Sequence, residues 1–130
     1  EEQSMTFGIG TQKFMAPEIV NESNYNEKAD VYSFGVLVFF VLNGGEMPRI
    51  TIPQIGNGIK AKIPQTFTSL ASNLIDLCWN FDPKDRPTFD DILTMLEKNE
   101  YSLLPMADYE KNEVVTFVKN HKSTIPKYSD

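Results

Sequence analysis

The chain has 130 residues, 41% of them hydrophobic and 23% charged, the mix of one ordinary globular domain and too few residues for two. Twelve basic residues against eighteen acidic ones leave a net charge of -6. That sign argues against a nucleic-acid or anionic-membrane partner, since both require clustered Lys and Arg. The single cysteine, Cys78, forms no internal disulfide, and no Cys/His cluster has zinc spacing. A reducing, cytoplasmic compartment is the expectation.

Along the chain, residues 1–24 carry Gly8, Gly10 and Pro17 and read as loop, with one helical turn over 16–20. Residues 31–42 form the longest apolar run, interrupted only by Ser33 and Gly35. A bilayer span needs about twenty residues, so this run is a buried element and no membrane anchor. Its valines and phenylalanines favour strand and its length favours helix; apolar residues on every side require protein all around it. The stop at Asn43, Gly44 and Gly45 decides for helix. Residues 46–67 hold three prolines and two glycines and read as loop with one short helix near 52–57. Leu70, Leu74, Leu77 and Cys78 recur at helical spacing, predicting an amphipathic helix to about Trp79. Residues 82–87 are a charged, proline-bounded turn. Thr88 with Asp91 makes a capping box, opening a helix whose Phe89, Ile92, Leu93 and Leu96 share a face. A last helix starts near Asp108, with Val114, Phe117, Val118 and His121 on one stripe. The fold class is mainly α, without convincing strands.

Several candidate chemistries fail on their own requirements. Gly8 and Gly10 lack the third glycine, the preceding strand and the following helix of a dinucleotide loop, since position 13 is Lys. Thr6-Phe7-Gly8 has a hydroxyl where a magnesium-binding triplet needs a carboxylate. Glu1-Glu2 and Asp90-Asp91 are neighbours in sequence, which is poor spacing for an acid/base couple, and Asp90 and Asp91 suit a helix first turn. His121 is the only histidine and reads as a packed helix residue. Cys78, among leucines and Trp79, reads as a buried inert thiol. The residues at hand assemble no complete active site and no metal site.

Three blocks nevertheless resemble the protein kinase family. Positions 10–18, GTQKFMAPE, resemble the end of a kinase activation segment. Positions 30–35, DVYSFG, resemble the start of the family's central buried helix, and positions 78–89, CWNFDPKDRPTF, the turn between its last two helices. They stand in the family's order and cover residues 1–98, leaving 99–130 as a tail with a short helix. Trp79 with Arg86 and Pro87 is similar to the tyrosine-kinase-like group, and Gly10-Thr11 to the Ser/Thr-specific form of the docking loop. Residues 44–49 depart from the family's usual phrase.

The resemblance implies the helical C-terminal lobe of a protein Ser/Thr kinase that transfers the ATP γ-phosphate to protein hydroxyls. Glu18 is then expected to pair with Arg86, and Asp30 to anchor the catalytic loop. Leu37 and Val41 would support the nucleotide-side spine. Gly10, Thr11, Phe14 and Met15 would form the substrate-docking loop, and Ser4 and Thr6 are candidate phosphosites. ATP and Mg2+ are implied by the family, but its glycine-rich cover, strand lysine, catalytic aspartate and metal-binding aspartate have no counterpart in this sequence. These parts are expected upstream of Glu1, and the chain alone is expected to be inactive and, with its central helix uncovered, to self-associate. The alternative reading is a pseudokinase remnant acting as a protein-interaction module.

Overall fold

The computed structural model describes residues 12–121. Its helices are α1 (Pro17–Val20), α2 (Lys28–Leu42), α3 (Ile52–Gly56), α4 (Ser69–Cys78), α5 (Phe89–Lys98) and α6 (Asp108–His121), with a 3₁₀ turn at Pro83–Asp85. No strand occurs among the described residues. The ambiguous apolar run is therefore helix, and α2 begins three residues before it, in the polar Lys28-Ala29-Asp30. Its end is set by Gly44 and Gly45 at φ of 68° and 85°, which lets the Gly45 amide donate back to the Phe40 carbonyl at 2.8 Å.

Helix α2 is apolar all round because it feeds two cores. One of its sides joins Tyr32, Val36 and Phe39 to Ala16, Ile55, Ile75 and Trp79. The other buries Val31 with Leu74, Cys78 and Ile92. Helix α4 lies against α2 and contributes to both. Capping boxes fix two of the surrounding helices: Thr51 and Gln54 close the start of α3, and Thr88 and Asp91 the start of α5.

Two predicted apolar faces are narrower than their spacing implied. In α5 only Ile92 is buried and Leu96 half-buried, because α5 meets the core along one edge; Phe89 and Leu93 stay exposed, Phe89 resting edge-on against Phe34 with centroids 5.7 Å apart. Helix α6 has no buried residue. Its Phe117 is exposed and stacks on His121 at 4.2 Å, so that histidine belongs to a solvent-facing pair and is not packed into a core.

Cys78 is fully buried, and burial pushes its thiol from the ordinary 9.0 up to about 12, against the smaller pull of the Arg86 charge. The native chain should therefore resist aromatic disulfide reagents at neutral pH and react fully once unfolded in guanidinium. Stoichiometric labelling at the native rate of an exposed thiol would contradict this packing.

Candidate functional site

The most organised polar site joins α1 to the turn before α5. Glu18 enters on the first turn of α1, whose geometry is preset by Pro17 at the first helical position. Arg86 follows the 3₁₀ turn, which Asp82 caps by accepting from the Lys84 amide at 2.9 Å. The two side chains, 68 residues apart in sequence, meet in a bidentate fork. Arg86 Nη1 donates to Glu18 Oε2 and Nη2 to Oε1, each at 2.8 Å. The Arg86 side chain is 0% exposed and that of Glu18 8%.

Burial on this scale is tolerable only because the guanidinium is saturated. Besides the carboxylate, Nε donates to Asn80 O at 2.7 Å, Nη1 to Lys28 O at 2.9 Å and Nη2 to Phe81 O at 3.1 Å. All five of its N–H groups thus have an acceptor. Its flat face also lies over the Tyr32 ring, 5.2 Å from the centroid. Burial alone would raise the Glu18 carboxyl, but the Arg86 hydrogen bonds, the amide of Glu18 itself and the Arg86 charge outweigh it, holding the group below its ordinary 4.5. Burial also lifts Tyr32 to about 12, with the Arg86 charge opposing and the Glu18 charge adding.

The remaining predicted residues fall around this clamp. Phe14 and Met15 precede α1 and are half-buried; the Phe14 ring tilts against Phe40 at 6.2 Å. Asp30 is exposed on the first turn of α2. Leu37 and Val41, one turn apart on the same helix, are 47% and 64% exposed, an uncovered stripe on an otherwise enclosed rod. Gly10, Thr11, Ser4 and Thr6 lie outside the described residues.

Among the described residues, no three of His, Cys, Asp and Glu come together where they could hold a metal ion. The one buried carboxylate among the described residues, that of Glu18, spends both oxygens on Arg86. These described residues therefore offer no ligand set that fits a magnesium nucleotide. No helix among them is long and apolar enough to cross a membrane.

The family described as protein tyrosine and serine/threonine kinase matches residues 2–96, almost three-quarters of the chain. The chain belongs to the protein kinase family. Its architecture is that of the family's helical C-terminal lobe. Similar curated proteins include a probable serine/threonine-protein kinase of Dictyostelium discoideum, 33% identical over 121 residues, 85% of this chain and 12% of that protein. The RGS domain-containing serine/threonine-protein kinase A of the same organism is 35% identical over 75% of this chain and 9% of its own length. Serine/threonine-protein kinase STY17 of Arabidopsis thaliana is 32% identical over 72% of this chain and 18% of its own length. The chain thus spans less than a fifth of each of these relatives.

Two side chains of this kinase lobe do structural work that no spacing rule signals. Ser33 Oγ lies 2.6 Å from the Phe14 carbonyl and donates to it, tying the stretch before α1 to the middle of α2. Lys28 Nζ donates to Arg86 O at 2.8 Å and Pro83 O at 3.4 Å, while its own carbonyl accepts from Arg86. The lysine therefore fixes the backbone that carries the clamp. Lys28→Met keeps most of the stem and removes the charged donor. It should lower the unfolding free energy in urea by about 1.5–3 kcal/mol, the range for hydrogen bonds to charged groups. A loss below about 0.5 kcal/mol would mean that solvent carries those carbonyls equally well.

Proposed function

We propose that this chain is the substrate-docking and scaffolding part of a protein Ser/Thr kinase of the tyrosine-kinase-like group. In the whole protein the reaction is transfer of the ATP γ-phosphate to Ser or Thr hydroxyls of protein substrates, with Mg2+, in a cytoplasmic signalling setting. The kinase portion occupies residues 1–98 and the tail 99–130. The observation that carries the reading is the buried Glu18–Arg86 fork, which ties the stretch after GTQKFM to the turn before α5.

On this reading Gly10, Thr11, Phe14 and Met15 seat the substrate segment, with Ser33 holding the Phe14 carbonyl from below. Asp30, at the exposed start of α2, anchors the catalytic loop. Leu37 and Val41 carry the base of the spine, which accounts for apolar side chains left open to solvent on a central helix. Ser4 and Thr6 are the regulatory phosphosites. Left uncovered, the Leu37–Val41 stripe makes the isolated chain self-associate.

The test is phosphoamino-acid analysis of the complete gene product incubated with ATP, Mg2+ and a general protein substrate. Phosphoserine and phosphothreonine are expected, with loss of transfer on Thr11→Ala. Phosphotyrosine alone would overturn the Ser/Thr assignment. No transfer at all, with a protein partner still captured, would replace the enzyme by an interaction module.

A further inference from the structure

Residues 44–49, which depart from the family's usual phrase, begin inside one of the two Asn-Gly pairs of the sequence, Asn43-Gly44 and Asn57-Gly58. An Asn-Gly peptide is open to attack by its own backbone, because a glycine nitrogen with no Cβ beside it can reach the asparagine side-chain carbon. The two asparagines occupy matching places. Each is the C-cap of a helix, with φ of -95° and ψ of 25° at Asn43 and φ of -91° and ψ of 7° at Asn57. Their surroundings do not match.

At Gly58 the attacking nitrogen is engaged. Its amide donates to the Ile55 carbonyl at 3.0 Å, and the Asn57 and Ile59 amides on either side donate to Gln54 O at 3.1 and 3.0 Å. The Phe81 ring closes over the glycine, its Cδ1 standing 3.1 Å from where a Cβ would be. At Gly44 the amide has no hydrogen-bond partner among the described residues. The glycine is exposed, and apart from its chain neighbours no atom lies within 4 Å of where a Cβ would be. What ties Asn43 to the loop is long on both counts: its carbonyl accepts from the Glu46 amide at 3.4 Å, and its Nδ2 donates to the Glu46 carbonyl at 3.3 Å.

We propose that Asn43 is a site of spontaneous deamidation in the folded chain, and that Asn57 is shielded from the same reaction. The Gly44 nitrogen bonds to Asn43 Cγ, the Cγ–Nδ2 bond breaks, and the Gly44 amide proton departs with Nδ2 as ammonia. Water then opens the succinimide ring at either carbonyl, leaving an aspartyl or isoaspartyl residue at 43. The new carboxylate cannot donate to Glu46, and it sets a negative charge against the carbonyl end of α2. Deamidation thus loosens the stop of the central helix and the loop after it. The proposal is independent of the docking and transfer roles above.

The test incubates the 130-residue chain at mildly alkaline pH, once folded and once in guanidinium, and follows tryptic peptides by mass spectrometry. Arg49 lies between the two sites, so each reports from its own peptide, residues 29–49 and 50–60, with fragment ions separating Asn57 from Gln54. In the folded chain the amide-to-acid mass shift should build up at Asn43 about fivefold faster than at Asn57, the worth of one net hydrogen bond. In guanidinium the two rates should converge. Asn43→Asp, the product made by substitution, should have a lower urea midpoint than its parent. Equal rates in the folded chain, a faster Asn57, an Asn43 that keeps its amide, or a ratio that persists in guanidinium would each overturn the assignment. An Asn43→Asp chain as stable as its parent would overturn the consequence for α2.

Discussion

Glu18→Ala should lower the unfolding free energy by about 3–5 kcal/mol, because it strands a guanidinium that has no access to water. The geometry also ranks the neighbouring substitutions. Arg86→Met should be worse than Glu18→Ala, since it orphans the carbonyls of Lys28, Asn80 and Phe81 along with the carboxylate. Glu18→Gln keeps an acceptor oxygen for one arm of the fork and should be the mildest of the three. Urea midpoints at constant slope would check the order. If Glu18→Ala proved no more harmful than Glu18→Gln, the acceptor oxygen that Gln keeps for Arg86 would contribute nothing and the fork would be misread.

The same pair sets an acid limit. Glu18 titrates lower in the fold than its ordinary 4.5, so the folded state favours the ionised form. Its contribution is present in full above about that ordinary value and is lost as pH falls through the depressed folded one. Stability should therefore drop on acidification below about pH 4.5, and Glu18→Gln should flatten that part of the profile. Some acid sensitivity should remain in the variant. Asp91 is also held low, by the backbone and hydroxyl of Thr88, and titrates in the same direction from an exposed position. An unchanged profile in Glu18→Gln would remove the clamp from the explanation.

How much of the structure is legible in the sequence follows the range of the interactions involved. Caps and stops are local, so the ends of α2 and α5 were visible in Asn43-Gly44-Gly45 and in Thr88 with Asp91. The lack of any polar face on α2 foretold enclosure, which holds toward the two cores and fails at Leu37 and Val41. The fork between Glu18 and Arg86 is different: 68 residues separate its partners, and only the ordered kinase phrases made it expected. Nothing marked Lys28 or Ser33, because each acts on a backbone carbonyl, and carbonyls leave no trace in sequence. Spacing overstated α6 for a related reason. A stripe such as Val114, Phe117, Val118 shows that a helix has an apolar side, while burial needs a facing surface, which α6 lacks within the described fold.

Gly35 is where that facing surface is closest, and Gly35→Ala should destabilise the chain although alanine is the better helix former. In the interior of an exposed helix the exchange would gain about 0.5–1 kcal/mol. Here the new Cβ would stand 2.6 Å from the Cβ of Cys78 and 3.2 Å from the Trp79 ring. Both methyl-sized groups are fixed to backbone, so relief requires α2 and α4 to separate, and overpacking of this kind costs about 1–3 kcal/mol. With contact this short the upper end applies, leaving a net loss of about 2 kcal/mol. Gly56→Ala is the internal control. Its Cβ would meet the Asn21 Oδ1 end of a side chain at 2.8 Å, which can rotate at the expense of its bond to the Gly56 carbonyl, and Val20 Cγ1 only at an ordinary 3.4 Å. The partner swap is more telling still. Cys78→Ala retains the offending Cβ and should not rescue Gly35→Ala, whereas Cys78→Gly removes it and should recover part of the lost stability when the two are combined. Equal rescue by both, or a Gly35→Ala chain that melts higher than its parent, would show that the two helices are not held apart by a single hydrogen's width.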